Sequence, residues 1–239
     1  MIIIPTRLAS TRFPEKILCD IGGVPMFIAT AKQVSSVDEV CIAVDDEKVL
    51  EIAKQYGFKA VLTSKNHESG TDRINEACKK LGLKDDEIII NVQADEPFIE
   101  CENLAKFKEF ANSCLKQEAF MASCYKDISK DDASDPNLVK VVCDKNDFAL
   151  YFSRAKIPYE RADYEESFKG HLGIYAYSVK ALCEFCTLEN SALEKAEKLE
   201  QLRAIENGKK IKMLQINTSS MGIDTKEDYE RALRIYLGK

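Results

Sequence analysis

Arg7, Arg12 and Lys16 follow directly on a short all-β-branched run, Ile2-Ile3-Ile4, in a stretch that also holds Pro5 and Pro14 and has no helical period. Their spacing is too irregular for a solvated helix face, and Ser10 and Thr11 add hydroxyl and main-chain donors between them. A strand that empties into such a loop suits a polyphosphate, because each cation neutralises a phosphate and each guanidinium grips two oxygens at once. An ordinary charged surface loop satisfies the same spacing, so both readings stand on the residues alone.

A second candidate lies after the most strongly apolar strand signal, Ile88-Ile89-Ile90, which delivers Gln93-Ala94-Asp95-Glu96-Pro97. In a parallel sheet, a carboxylate placed just after a strand reaches the carboxyl edge, where ligands bind. Asp95 thereby meets the basic loop if the two strands are neighbours. Magnesium takes one or two carboxylates together with substrate phosphates, which makes Asp95 a candidate ligand. An acidic turn before Pro97 explains Glu96 equally well, but leaves Gln93 and Asp95 without a reason. Two common phosphate cradles are excluded, since neither GxGxxG nor GxxxxGK[ST] occurs.

The elements that must position these groups alternate. Gly22-Gly23 reads as a turn and Pro25 as the start of a helix that buries Met26, Phe27, Ala31 and Val34. Residues 40–44 form a buried strand ending at Asp45-Asp46, a helix burying Val49, Leu50 and Ala53 stops at Gly57, and residues 60–62 form a third strand. Ser69 or Thr71 suits a helix N-cap before Ile74, Ala77, Cys78 and Leu81. This grammar predicts an α/β fold, a mostly parallel Rossmann-like sheet with helices on both faces. A helix over 102–115 and a strand over 120–125 continue it. The pattern then changes: 138–143 and 148–153 read as a β-hairpin, followed by a polar connection and a strand at 171–177. A helix over 189–207, a strand over 211–216 and a final helix close the chain, with Asp224 and Glu227 spaced as a capping box. The expectation is a single domain, with 1–125 and 187–239 as its core and 126–186 as a smaller antiparallel lobe.

Composition narrows the function. The 34 Lys and Arg against 40 Asp and Glu, a net charge of -6, argue against a nucleic-acid surface. No run approaches the length of a membrane span and no leader is evident, so a cytoplasmic enzyme is expected. Cys41, Cys78, Cys124 and Cys143 sit in apolar patterns and read as reduced core residues, and Cys183 with Cys186 lacks the further ligands that zinc needs.

From Ile2 to Lys16 the chain resembles the signature loop of sugar-activating nucleotidyltransferases, and specifically of the 3-deoxy-manno-octulosonate (Kdo) cytidylyltransferase family. The resemblance extends through 91–97, Tyr151-Phe152-Ser153-Arg154, His171-Leu172-Gly173-Ile174-Tyr175, Leu199-Glu200-Gln201-Leu202-Arg203 and Gly222-Ile223-Asp224-Thr225. Thr6, Ala94, Ala192 and Lys195 depart from the family pattern, without removing a charged group assigned to chemistry. The resemblance implies CTP and Kdo as substrates, magnesium held by Asp95 and Asp224, and a homodimer. It implies Arg12 and Lys16 as catalytic cations on the leaving phosphates, with Arg7, Ser10, Thr11 and Gln93 also at the nucleotide. Ser69, Gly70 and Arg73 would approach the pyrimidine. On the sugar it implies Arg154 as a fork for the carboxylate, with His171, Tyr175, Glu200 and Gln201 beside it. His67 has no such support and is expected to be exposed. The same chemistry on an acylneuraminate or a modified octulosonate, and a non-catalytic nucleotide-binding relative, are the alternatives.

Overall fold

A computed structural model describes residues 1–10, 12–162 and 167–238; Thr11 lies outside the described residues. The chain forms two compact units, Met1–Lys106 with Ser219–Lys239, and Phe107–Thr218. Elements of the first unit run β1 (Ile2–Thr6), β2 (Asp20–Ile21), β3 (Val24–Pro25), α1 (Met26–Val34), β4 (Val40–Val44), α2 (Glu47–Gln55), β5 (Lys59–Leu62), α3 (Gly70–Leu81) and β6 (Ile88–Asn91). Helix α4 (Cys101–Cys114) leads into the second unit, which holds β7 (Met121–Ile128), β8 (Lys140–Cys143), β9 (Ala149–Ser153), β10 (Phe168–Ser178), α5 (Val179–Thr187), α6 (Ala192–Glu197), α7 (Gln201–Glu206) and β11 (Ile211–Gln215). Helix α8 (Lys226–Leu237) belongs to the first unit again.

In the first unit the strands lie in the order β6-β1-β4-β5, and every pair is parallel. All five residues of β1 and all five of β4 are buried. Successive strand residues face opposite sides, so complete burial means that both faces of this sheet are covered. The central place of β1, between β4 and β6, brings the ends of β1 and β6 side by side, as the reading of Asp95 required. The Gly22-Gly23 turn joins the β2–β3 hairpin, and α8 closes the unit by packing its Ala232 with Ile21, Met26 and Ile223.

The second unit is built differently. Its strands lie in the order β11-β7-β10-β8-β9, antiparallel except for β11 with β7. The expected hairpin is β8–β9, and the expected strand at 171–177 is the middle of the longer β10. Residues 120–125, read as a strand continuing the sheet, correspond to β7, which pairs parallel with β11 and antiparallel with β10, from Phe168↔Ile128 to Ala176↔Ala122. The boundaries drawn at 125 and 187 therefore fall inside a compact unit, because an apolar strand signal carries no direction.

Two further differences bear on the site. The helix expected over 189–207 is two helices, since Lys198 takes a left-handed conformation at φ 55 and ends α6, leaving Glu200 to cap α7. The capping box of α8 is also one residue later than expected. Thr225 accepts from the Asp228 N–H at 3.1 Å while the Asp228 carboxylate accepts from the Thr225 N–H at 3.0 Å. Asp224 is thus relieved of capping and its carboxylate is available for other partners. Thr225→Ala should lower stability by about 1 kcal/mol, the usual worth of such a cap, as read by urea unfolding. Asp224→Asn should leave the helix stability unchanged in the same measurement.

Candidate active site

Lys16 leaves the basic loop in a 3₁₀ turn, Lys16–Leu18, that follows Glu15 at φ 51. Its side chain is only 11% exposed and its ammonium lies 2.5 Å from Asp95 Oδ2 and 3.1 Å from Asp224 Oδ1. Arg12 Nη2 adds a contact to the same Asp224 oxygen at 3.0 Å. Two aspartates 129 positions apart (224 − 95) are drawn together by these cations and by the backbone, where the Ile223 N–H donates to the Asp95 carbonyl at 3.0 Å. Two neighbouring carboxylates repel one another, so a shared cation is what makes the arrangement stable.

The segment around Asp95 is fixed from behind. Thr30 Oγ1 donates to the Ala94 carbonyl at 2.9 Å, and Gln93 Nε2 donates to Asn91 at 3.2 Å. Gly222 lies against Glu96, where an added Cβ would come within 2.9 Å of the end of that flexible side chain. A cavity of about 190 Å³ opens here, lined by Arg7, Ser10, Arg12, Lys16, Gln93 and both aspartates among others. Seven residues assigned from sequence therefore line one cavity. Their chemistry is that of a receptor for a polyanion accompanied by a cation.

Ser69, Gly70 and Arg73 have local duties. Ser69 caps α3, accepting from the Asp72 N–H at 3.1 Å, and Gly70 lets the helix approach Pro5, with a Cβ position only 3.2 Å from Pro5 Cγ. Arg73 is buried, and its guanidinium donates to Thr63 Oγ1 at 2.7 Å, the Ser64 carbonyl at 3.4 Å and Asp45 Oδ2 at 3.1 Å. Burial, together with the nearby Arg7 cation, lowers the Arg73 pKa from its ordinary value, while Asp45 opposes this. The expected pyrimidine fork is spent on protein acceptors. His67, expected to be exposed, is partly buried and pairs with Glu76.

In the second unit, His171 Nε2 lies 3.0 Å from Ser123 Oγ, and its ring stands edge-on to Phe152 at 5.0 Å and tilted to Tyr175 at 5.4 Å. The residue as a whole is half-buried, but the imidazole sits among these groups and desolvation lowers its pKa to about 3. Burial and then the Glu200 charge raise the Tyr175 pKa well above its ordinary value, which keeps its hydroxyl protonated. Gln201 is buried and its Nε2 has no hydrogen-bond partner among the described residues. A buried amide donor without an acceptor is costly, and a ligand hydroxyl would satisfy it.

Arg154 differs from expectation. Its Nε donates to the Glu197 carbonyl at 2.7 Å, Nη1 to the Pro136 carbonyl at 3.1 Å and Nη2 to the Lys198 carbonyl at 3.5 Å. The fork read as a receptor for a sugar carboxylate is filled by main chain. It holds the turn that separates α6 from α7, directly before Glu200 and Gln201. Sequence reading also missed Asp45, Thr63, Ser123 and Glu197. Asp45 alone carried a signal, since it follows β4 as Asp95 follows β6.

A parallel sheet whose central strand feeds a cationic loop, faced by two carboxylates at the sheet's edge, defines a nucleotidyltransferase type of α/β protein. Residues 1–211 match the family model described as "Cytidylyltransferase". Among curated relatives, the 3-deoxy-manno-octulosonate cytidylyltransferase of a Nitratiruptor species is 57% identical over 97% of both chains. That of Wolinella succinogenes is 51% identical over 99% of both. A solved CMP:2-keto-3-deoxy-manno-octonic acid synthetase complexed with CTP superposes with a TM-score of 0.91 at 36% identity, covering 99% of this chain and 98% of that one. The chain belongs to the cytidylyltransferase family.

The low His171 pKa sets a pH dependence. The unfolded imidazole takes up a proton near pH 6.5, whereas the folded one stays neutral to about pH 3. This contribution to stability is therefore complete above pH 6.5 and is lost as pH falls toward about 3. His171→Gln should flatten the decline of unfolding free energy across that window, measured by urea titration at a series of pH values.

Proposed function

We propose that this protein transfers CMP from CTP to the anomeric hydroxyl of Kdo, giving CMP-Kdo and pyrophosphate for lipopolysaccharide synthesis. The observation that carries the reading is the convergence of Lys16, Arg12, Asp95 and Asp224 on one cavity at the end of the basic loop. Membership of the family and the names of the relatives supply the nucleotide and the sugar.

In this reaction the sugar hydroxyl attacks the α-phosphorus, a new P–O bond forms, and the bond to the β-phosphate oxygen breaks in line. Positioning and charge neutralisation account for most of the acceleration of such a step. Arg12 and Lys16 receive the charge that gathers on the departing pyrophosphate, and Arg7 with the Ser10 main chain orients the α- and β-phosphates. Gln93 borders the same cavity and offers its amide to the nucleotide.

Asp95 and Asp224 suit magnesium. Both already hold one positive group, the Lys16 ammonium, so their oxygens point at a common place fit for a cation. Two carboxylates are what this ion takes from a protein when substrate phosphates and water fill its other positions. When bound there with the nucleotide, magnesium would polarise the phosphate and lower the pKa of the attacking hydroxyl. No side chain is then needed as a dedicated base.

The sugar is assigned to His171, Tyr175, Glu200 and Gln201. Neutral His171 and protonated Tyr175 offer hydrogen bonds without charge, and the orphaned Gln201 donor asks for an acceptor. Arg154 serves this group by holding the Lys198 turn, and the sugar carboxylate needs another cation. A cytoplasmic homodimer completes the proposal; among the described residues no helix is long and apolar enough to cross a membrane.

The reading is tested by pyrophosphate release from CTP with Kdo and, in parallel, with an N-acylneuraminate, each with and without magnesium. Turnover with Kdo and magnesium alone is expected, and preference for the neuraminate would overturn the sugar assignment. Asp95→Asn should lower turnover by about 10²–10³, in line with losing a preorganised charge-stabilising group. Gln201→Leu should raise the Kdo KM about tenfold, as loss of one well-made hydrogen bond does, while the CTP KM stays put.

A further inference from the structure

We propose that Asp45 is a positioning residue that anchors the nucleotide loop to the sheet edge, so that Arg7 and Ser10 are held for the triphosphate. It has not been given a part in the chemistry above, and the inference rests on the reading of the basic loop as the triphosphate site.

The geometry is a relay through one carboxylate. Asp45 directly follows β4, the parallel neighbour of β1, and is buried to 9% exposure. Its Oδ1 accepts from the main-chain N–H of Leu8 at 3.0 Å, and its Oδ2 pairs with Arg73 Nη2 at 3.1 Å. Arg73 is fixed in turn by Thr63 Oγ1 at 2.7 Å, and Thr63 donates to the Val44 carbonyl at 2.8 Å. The loop is thus fastened at two places. Lys16 ties its far end to Asp95 and Asp224, and Leu8 ties its near end, one residue after Arg7, to a buried ion pair on the neighbouring strand. A cavity of about 550 Å³ lined by Arg7, Leu8, Ser10, Glu15, Asp45 and Lys65 among others lies along this near end. The loop is open to this cavity, and the hydrogen bond from Leu8 ties it to the end of β4.

Only a carboxylate can do this. It is an acceptor on both oxygens and serves Leu8 and Arg73 together, whereas an amide has one acceptor and one donor. In Asp45→Asn the amide oxygen goes to the buried Arg73 cation, and the amide N–H₂ then faces the Leu8 N–H, donor against donor. The isosteric variant therefore releases the loop while keeping an acceptor for Arg73. Removing the side chain altogether would instead leave a buried charge unpaired and confuse anchoring with folding.

The test compares wild-type enzyme with Asp45→Asn, and with a backbone ester at residue 8, introduced as leucic acid, which deletes the single N–H and leaves the ion pair intact. Two quantities are read: amide hydrogen exchange over residues 8–13 without nucleotide, and the KM values for CTP and Kdo. Faster exchange confined to the loop in Asp45→Asn, with a CTP KM raised about tenfold and an unchanged Kdo KM in both variants, is the expected result. Wild-type CTP KM in the ester variant, or wild-type loop exchange in Asp45→Asn, overturns the proposal. If Asp45→Asn loses stability and both KM values shift, the ester variant decides. Loop exchange needs no nucleotide, so failure of the anchor is distinguishable from failure of the triphosphate reading, which would appear as absent CTP-dependent pyrophosphate release by the wild-type enzyme.

Discussion

The cluster at the ends of β1 and β6 depends on a balance of charge around Lys16. Two carboxylates brought to one place are unstable unless a cation stands between them, and the ammonium at 2.5 and 3.1 Å does so. The balance is possible only because Asp95 follows a strand adjacent to β1 and because the Ile223 amide fastens the returning chain to the Asp95 carbonyl. A parallel sheet supplies the first condition. The second joins segments remote in sequence, and the packing of Ile223 with Ile21 and Met26 supports it. The fold therefore acts here mainly as a device for holding opposite charges together at the wall of one cavity.

Legibility of these features in the sequence followed their range. The strands β1, β4 and β6 were readable, since complete burial on both faces demands continuous apolar runs, and the basic loop announced itself by residue type. Asp224 was legible only through resemblance: its partners lie in the loop after β1 and after β6, and no local pattern records that. The local pattern even misled by one residue, because Asp224 with Glu227 and Thr225 with Asp228 are both acceptable capping spacings. Geometry chose the second, and the choice is what leaves Asp224 for Lys16 and Arg12.

Arginines were read least well, for a common physical reason. A guanidinium has five donors and can be exhausted by oxygens that carry no signature in sequence. Arg154 spends its fork on the carbonyls of residues 136, 197 and 198, and Arg73 spends its own on Thr63, Ser64 and Asp45. Main-chain carbonyls occur at every position, so a residue code cannot tell a ligand-binding arginine from one that braces a turn. The break at Lys198 is of the same kind, since a left-handed residue without glycine has no warning in the side chain. On the proposed reading Arg154 keeps a part, because the turn it braces comes directly before Glu200 and Gln201.

The two sets of candidate residues use opposite electrostatic strategies, and the proposed chemistry explains why. In the proposed nucleotide cluster one ion pair is well exposed: Arg12 and Asp224 have side-chain exposures of 63% and 50%, so their contact exchanges easily with water and with an incoming polyanion. The exposed Arg12–Asp224 pair holds little free energy, which on the proposed reading suits a cation that exchanges a carboxylate for a phosphate. At the proposed sugar end His171 and Tyr175 are kept uncharged by desolvation, with a Gln201 donor awaiting an acceptor. A neutral sugar hydroxyl is recognised by direction more than by charge, and directional hydrogen bonds are strongest where water is excluded. A neutral cluster in place of the cations could not neutralise a triphosphate. On the proposed reading, the contrast between an exposed ion pair and a group built on uncharged His171, Tyr175 and Gln201 beside the one carboxylate of Glu200 follows from the two kinds of substrate that cytidylyl transfer to a sugar must hold.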